Sequence, residues 1–117
     1  MSHKNQDTAW DSYNFHYEIL SDLQRNNDEV IIKYNKFLDD NINPQKKEVA
    51  LLRKEMNDSY DALIMGYEKC IQSINELINE QKSVDVSREC LNEYKNITYS
   101  QYEVAKMEQT EINEVLG

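Results

Sequence analysis

Two histidines, His3 and His16, two cysteines, Cys70 and Cys90, and 22 acidic side chains are the raw material from which this 117-residue chain would have to build chemistry. Carboxylate-bridged metal pairs in helical proteins use Glu-x-x-His to aim two ligands from one helix face, and neither histidine has Glu at that spacing. Asp39, Asn41 and Asn43 alternate like the first ligands of a calcium loop. The glycine that its turn requires is replaced by Pro44, and Ala50 stands where the closing Glu belongs. The cysteines and histidines are too scattered for a zinc-ligand pattern. With Gly66 and Gly117 as the only glycines, the chain cannot form a phosphate-cradling loop, a dinucleotide fingerprint or a nucleophile elbow. His16 lies on a helical seam with no nucleophile identifiably associated with it, which reads as a packing role. The expectation is a protein that is not an enzyme and has no cofactor or metal.

The charge pattern narrows the partners. The formal net charge is −9, with 22 acidic against 13 basic residues, a field that repels phosphate backbones and anionic lipid headgroups and argues against direct nucleic-acid binding. From Glu89 onward, Glu89, Glu93, Glu103, Glu108, Glu111 and Glu114 face only Lys95 and Lys106, which reads as a solvated helix face. The opening MSHKNQDTAW is polar, the closing EVLG is no prenylation box, and no apolar run approaches a membrane span. A soluble, cytoplasmic or otherwise intracellular protein without membrane insertion is expected. Its cysteines are then reduced, and the sequons at Asn57 and Asn96 have no glycosylating context.

Such residues are positioned by helices. One proline and two glycines leave few turns, and apolar side chains recur at helical spacing from about Thr8 onward. In the first segment Tyr13, His16, Leu20, Leu23, Asn27, Val30, Tyr34 and Phe37 alternate at three and four residues, widened on one side by Tyr17, Ile31 and Leu38. Asn27 is a polar residue on that seam, suited either to fixing register or to a place at the rim. The NINP segment ends the helix, and Pro44 suits the first turn of the next.

The second segment carries three apolar columns: Met56, Leu63, Cys70 and Leu77; Tyr60, Tyr67 and Ile74; and Ile64, Ile71 and Ile78. Together they span about 100° of the helix circumference, the breadth of a helix that touches two neighbours. Gly66 inside this arc points to close helix packing or to tolerance within a strong pattern. A turn near residues 81–85 is expected, with Ser83 or Asp85 capping a third helix. Its apolar positions, Leu91, Tyr94, Ile97, Thr98, Tyr102, Val104, Ala105, Ile112 and Val115, are interrupted by Gln101 and Glu108.

These features predict an all-α fold in a single domain: an elongated antiparallel three-helix bundle with helices at about 8–42, 44–81 and 84–115. The alternative is one short helix and one very long helix pairing with another chain in a coiled coil. The functional expectation is a non-catalytic interaction subunit or adaptor that docks partner helices, with possible homo- or hetero-oligomers. Partner-binding positions are expected at Ile64, Ile71, Ile78, Tyr60 and Tyr67, because the third helix looks too dilute to cover the arc of the second. A second expectation is an acidic inhibitor or chaperone that masks a target protein surface.

Overall fold

A computed structural model describes residues 2–41, 43–80 and 88–117. Three helices account for nearly all of them: α1 (Ser2–Asp40), α2 (Lys46–Glu80) and α3 (Arg88–Leu116). The rod measures 62 × 21 × 17 Å across its Cα atoms, in keeping with a rise of about 1.5 Å per residue along the helices. α2 and α3 pack against each other as separate antiparallel helices, so the long continuous helix does not exist. The expected caps at Ser83 and Asp85 lie outside the described residues.

At the first turn, the backbone N–H of Asn41 and its side-chain amide both donate to the carbonyl of Phe37, at 3.1 and 2.9 Å, and close the end of α1. α2 opens when the Val49 N–H reaches the Gln45 carbonyl. Pro44 therefore precedes the helix instead of sitting in its first turn, and Gln45 takes the half-in capping position.

The core runs along the first two apolar columns of α2. Tyr60, Met56, Ile74, Leu77 and Cys70 are almost completely buried, and Leu20, Val30 and Tyr34 of α1 and Ala105 and Leu116 of α3 close over the larger cluster. A smaller cluster of Ala9, Leu77 and Leu91, flanked by Trp10, Tyr13 and Ile78, joins all three helices at the other end. The α1 seam is used as its spacing predicts, with Leu20, Asn27, Val30 and Tyr34 buried.

Ser59, Gly66 and Ser73 form a column of small residues facing α1. Asn27 Nδ2 donates to Ser59 Oγ at 2.9 Å, the Ser12 and Ser73 hydroxyls lie 3.5 Å apart, and a Cβ placed on Gly66 would stand 2.8 Å from Leu23 Cδ1. Close packing of α1 is thus what Gly66 provides. Asn27, only 4% exposed, is buried instead of lying at the rim, and its amide is satisfied by Ser59.

α3 docks on the opposite flank of α2 through a polar fastening. Asn57 and Asn113 exchange amide hydrogen bonds of 3.0 and 2.8 Å, and Gln109 Nε2 donates to Asn57 Oδ1 and to Asp61 Oδ1 at 3.2 and 2.9 Å. The Arg53 guanidinium donates to the Leu116 carbonyl at 2.6 Å, bringing a cation to a helix end whose own last turn has none.

Candidate functional site: an open groove between α1 and α3

The helix pairing decides where the molecule is incomplete. α2 packs against both α1 and α3, but among the described residues α1 and α3 nowhere bring Cα atoms within 8 Å of each other. Packed helices have axes about 8–10 Å apart, a spacing that brings many Cα pairs that close. The outer helices therefore flank α2 without packing on one another. The gap forms a groove of about 410 Å³, with Leu63 and Tyr67 of α2 as floor, Gln24, Asn27 and Asp28 of α1 on one side, and Ser100, Gln101, Val104, Ala105 and Glu108 of α3 on the other.

The sequence of α3 explains this wall. Positions 91, 95, 98, 102, 105, 109, 112 and 116 alternate at four and three residues, and each is buried or half-buried against α2. A second set at the same spacing, Tyr94, Ile97, Gln101, Val104, Glu108, Glu111 and Val115, lies beside it and is exposed. The apolar face expected for α3 therefore mixed two faces. Leu91, Thr98, Tyr102, Ala105 and Ile112 belong to the packed one, whereas Tyr94, Ile97, Val104 and Val115 belong to the open one, with Ile97 56% and Val104 52% exposed. Gln101 and Glu108, which seemed to interrupt one stripe, belong to the second. On α1, the widening side chains Tyr17, Ile31 and Leu38 share the heptad column of Gln24; Gln24 lines the groove and Ile31 packs on the core.

Of the positions expected to bind a partner, Ile64, Ile71 and Ile78 are half-buried and Tyr60 and Tyr67 are buried. Asn57 opens the column that continues as Ile64, Ile71 and Ile78, and Asn57 is bonded to α3. Ile64 packs on the cluster that contains Ala105 and Leu116, Ile78 packs on the cluster that contains Leu91, and Ile71 is half-buried between them in sequence. The chain's own third helix occupies that side of α2. Tyr60 is 0% exposed and cannot meet a partner in this fold, and Tyr67 is buried, reaching the groove only as part of its floor.

Partial desolvation against the groove, followed by the charges of Glu111 and Asp28, raises the Glu108 carboxyl above its ordinary range although the side chain is exposed. Beneath it, burial is the main cause that pushes the Tyr60 and Tyr67 phenols upward, and both feel Glu108 and Asp28. Gln24 Nε2 donates to the Tyr67 hydroxyl at 3.0 Å, which opposes part of that rise. The Tyr60 hydroxyl is buried with no hydrogen-bond partner among the described residues. Beyond the groove, the same heptad columns carry the exposed side chains Tyr17 on α1 and Tyr94 and Ile97 on α3. Burial raises the Tyr13 phenol above its ordinary range, and the nearby Tyr17, Cys70 and Tyr94 add to the rise.

Burial raises the Cys70 thiol to about 11, which keeps it protonated and unreactive at neutral pH. Among the described residues no group of three or more His, Cys, Asp or Glu side chains could hold a metal ion. Also among them, no helix is long and apolar enough to cross a membrane. In comparison with known proteins, the chain matches no family model, no curated protein and no solved structure.

Proposed function

We propose that this protein is a non-catalytic interaction subunit whose α1–α3 groove receives a helix from a protein partner, completing a four-helix bundle. The observation that carries this reading is the second seam of α3. A helix that meets one neighbour needs a single three-and-four pattern, and α3 has two, of which only one is packed. Its open seam supplies Gln101, Val104 and Glu108 to the groove, with Gln24, Asn27 and Asp28 of α1 on the other wall. A contiguous strip of partly apolar side chains between two helices is the surface that an amphipathic helix covers when it lies in a groove.

The test is a pair of substitutions that remove apolar surface without altering charge or core. Ile97→Gln/Val104→Gln changes two exposed side chains and is expected to leave helicity and melting temperature close to those of the parent. Proteins captured from native cells by the parent chain are then compared with those captured by the variant, and each candidate is purified and titrated directly. A partner whose purified form binds the parent at least tenfold more tightly than the variant supports the reading. Equal binding by both chains removes the groove from consideration.

A further inference from the structure

Resting on the groove reading above, we infer the chemistry of the occupant: an amphipathic helix bearing Lys or Arg where it passes between Asp28 of α1 and Glu108 of α3, with an aliphatic stripe toward Leu63 and Val104. Charge complementarity selects this occupant. The groove side chains that ionise are Asp28 and Glu108, and Glu111 follows Glu108 on the same seam. Among the described residues no basic side chain lines the groove. The described ion pairs lie elsewhere, Lys33 with Glu55, Lys54 with Asp58, Arg25 with Asp22 and Lys106 with Glu103, and leave Asp28, Glu108 and Glu111 outside them.

A second copy is disfavoured by the same charges. Each chain has a net charge of −9, and placing one copy's acidic surface in another's carboxylate-lined groove brings like charges together. An aliphatic helix without cations would cover Leu63 and Val104 but would bury the two carboxylates unpaired, which is strongly unfavourable. A guanidinium or ammonium between them meets both needs, since a planar guanidinium can donate to two carboxylates at once. The groups around Glu108 are consistent with this: Glu111 on its own helix and Asp28 on α1 both raise its proton affinity, and the Tyr60 and Tyr67 phenols of α2 lie within reach of its charge.

The probe is a yeast-displayed library of amphipathic helices about three heptads long, with fixed aliphatic seam positions and randomised flanks, selected against the full chain. Selected helices are expected to carry Lys or Arg at one recurrent flank position. Their affinity should fall about tenfold for Asp28→Asn/Glu108→Gln and remain unchanged for Glu68→Gln/Glu76→Gln, an equal charge change on the exposed side of α2. Equal losses in the two variants would mean nonspecific attraction and overturn the inference. Selected helices with neutral or acidic flanks, still lost on Ile97→Gln/Val104→Gln, would overturn the charge inference while leaving the groove reading intact. Binders indifferent to Ile97→Gln/Val104→Gln, or a selection that yields none, would overturn both. Sedimentation that shows a dimer of the parent and a monomer of Ile97→Gln/Val104→Gln would assign the groove to a second copy and reject the basic helix.

Discussion

The Tyr60 hydroxyl is sealed in the core without a partner among the described residues, which leave its desolvation uncompensated. Tyr60→Phe keeps the ring and removes the orphaned group, and chemical denaturation should show a gain of about 1 kcal/mol. A loss would mean that the hydroxyl makes a bond in solution. Asn27 and Ser59 present the opposite case, because each satisfies the other in a buried place. Asn27→Ala should destabilise by about 1–3 kcal/mol, and a cycle with Ser59→Ala should show that the two losses are not additive. Glu108 is raised by partial desolvation and by neighbouring carboxylates, so the fold favours its protonated form. Its contribution to stability is present at acid pH and lost as pH rises through its folded titration. Glu108→Gln is therefore expected to raise the melting temperature at neutral pH, and the advantage should shrink as the solution is acidified.

Helix by helix, the pattern of apolar residues was readable where one face did one job. The α1 seam and the three columns of α2 could be identified because leucine, isoleucine and tyrosine repeat there every three or four residues. Reading α3 was harder, since its packed seam includes Lys95, Thr98 and Gln109, and its exposed seam includes Ile97 and Val104. Hydrophobicity alone assigns those two faces the wrong way round in places. The Asn57–Asn113 exchange was hidden for a related reason: amides are ordinary surface residues until a matching amide stands opposite, and that pairing depends on the register of two helices. Gly66 did signal close approach, and its substitution separates propensity from sterics. Gly66→Ala gains about 1 kcal/mol of helix propensity and displaces only the flexible end of Leu23, so thermal denaturation should find it within about 1 kcal/mol of the parent. Gly66→Leu must push α1 away and should lose well over 2 kcal/mol.

On the scale of the whole molecule, scarcity of turn-formers and the Pro44 region sufficed to identify an elongated three-helix bundle. The location of the candidate site did not follow, because surplus breadth on α2 looks the same whether a neighbour comes from the same chain or another. Only the separation of α1 from α3 distinguishes them. The fold also protects its thiols unequally. Cys70 is buried and held protonated, whereas Cys90 is half-buried near the start of α3. In the native state a maleimide should modify Cys90 first, and Cys70 should react only at the rate of global or local unfolding.

Because α2 runs antiparallel to both of its neighbours, α1 and α3 point the same way. A visitor that opposes both macrodipoles must lie parallel to α2, with its amino end beside Glu108 and Glu111. Its cations would then cluster in its own first turns, where they repel the positive end of its dipole. Such a segment is a poor helix by itself and becomes a good one only against these carboxylates. Circular dichroism of a selected peptide should therefore report a coil in buffer and a helix on titration with the chain, and reversing its sequence should abolish the transition.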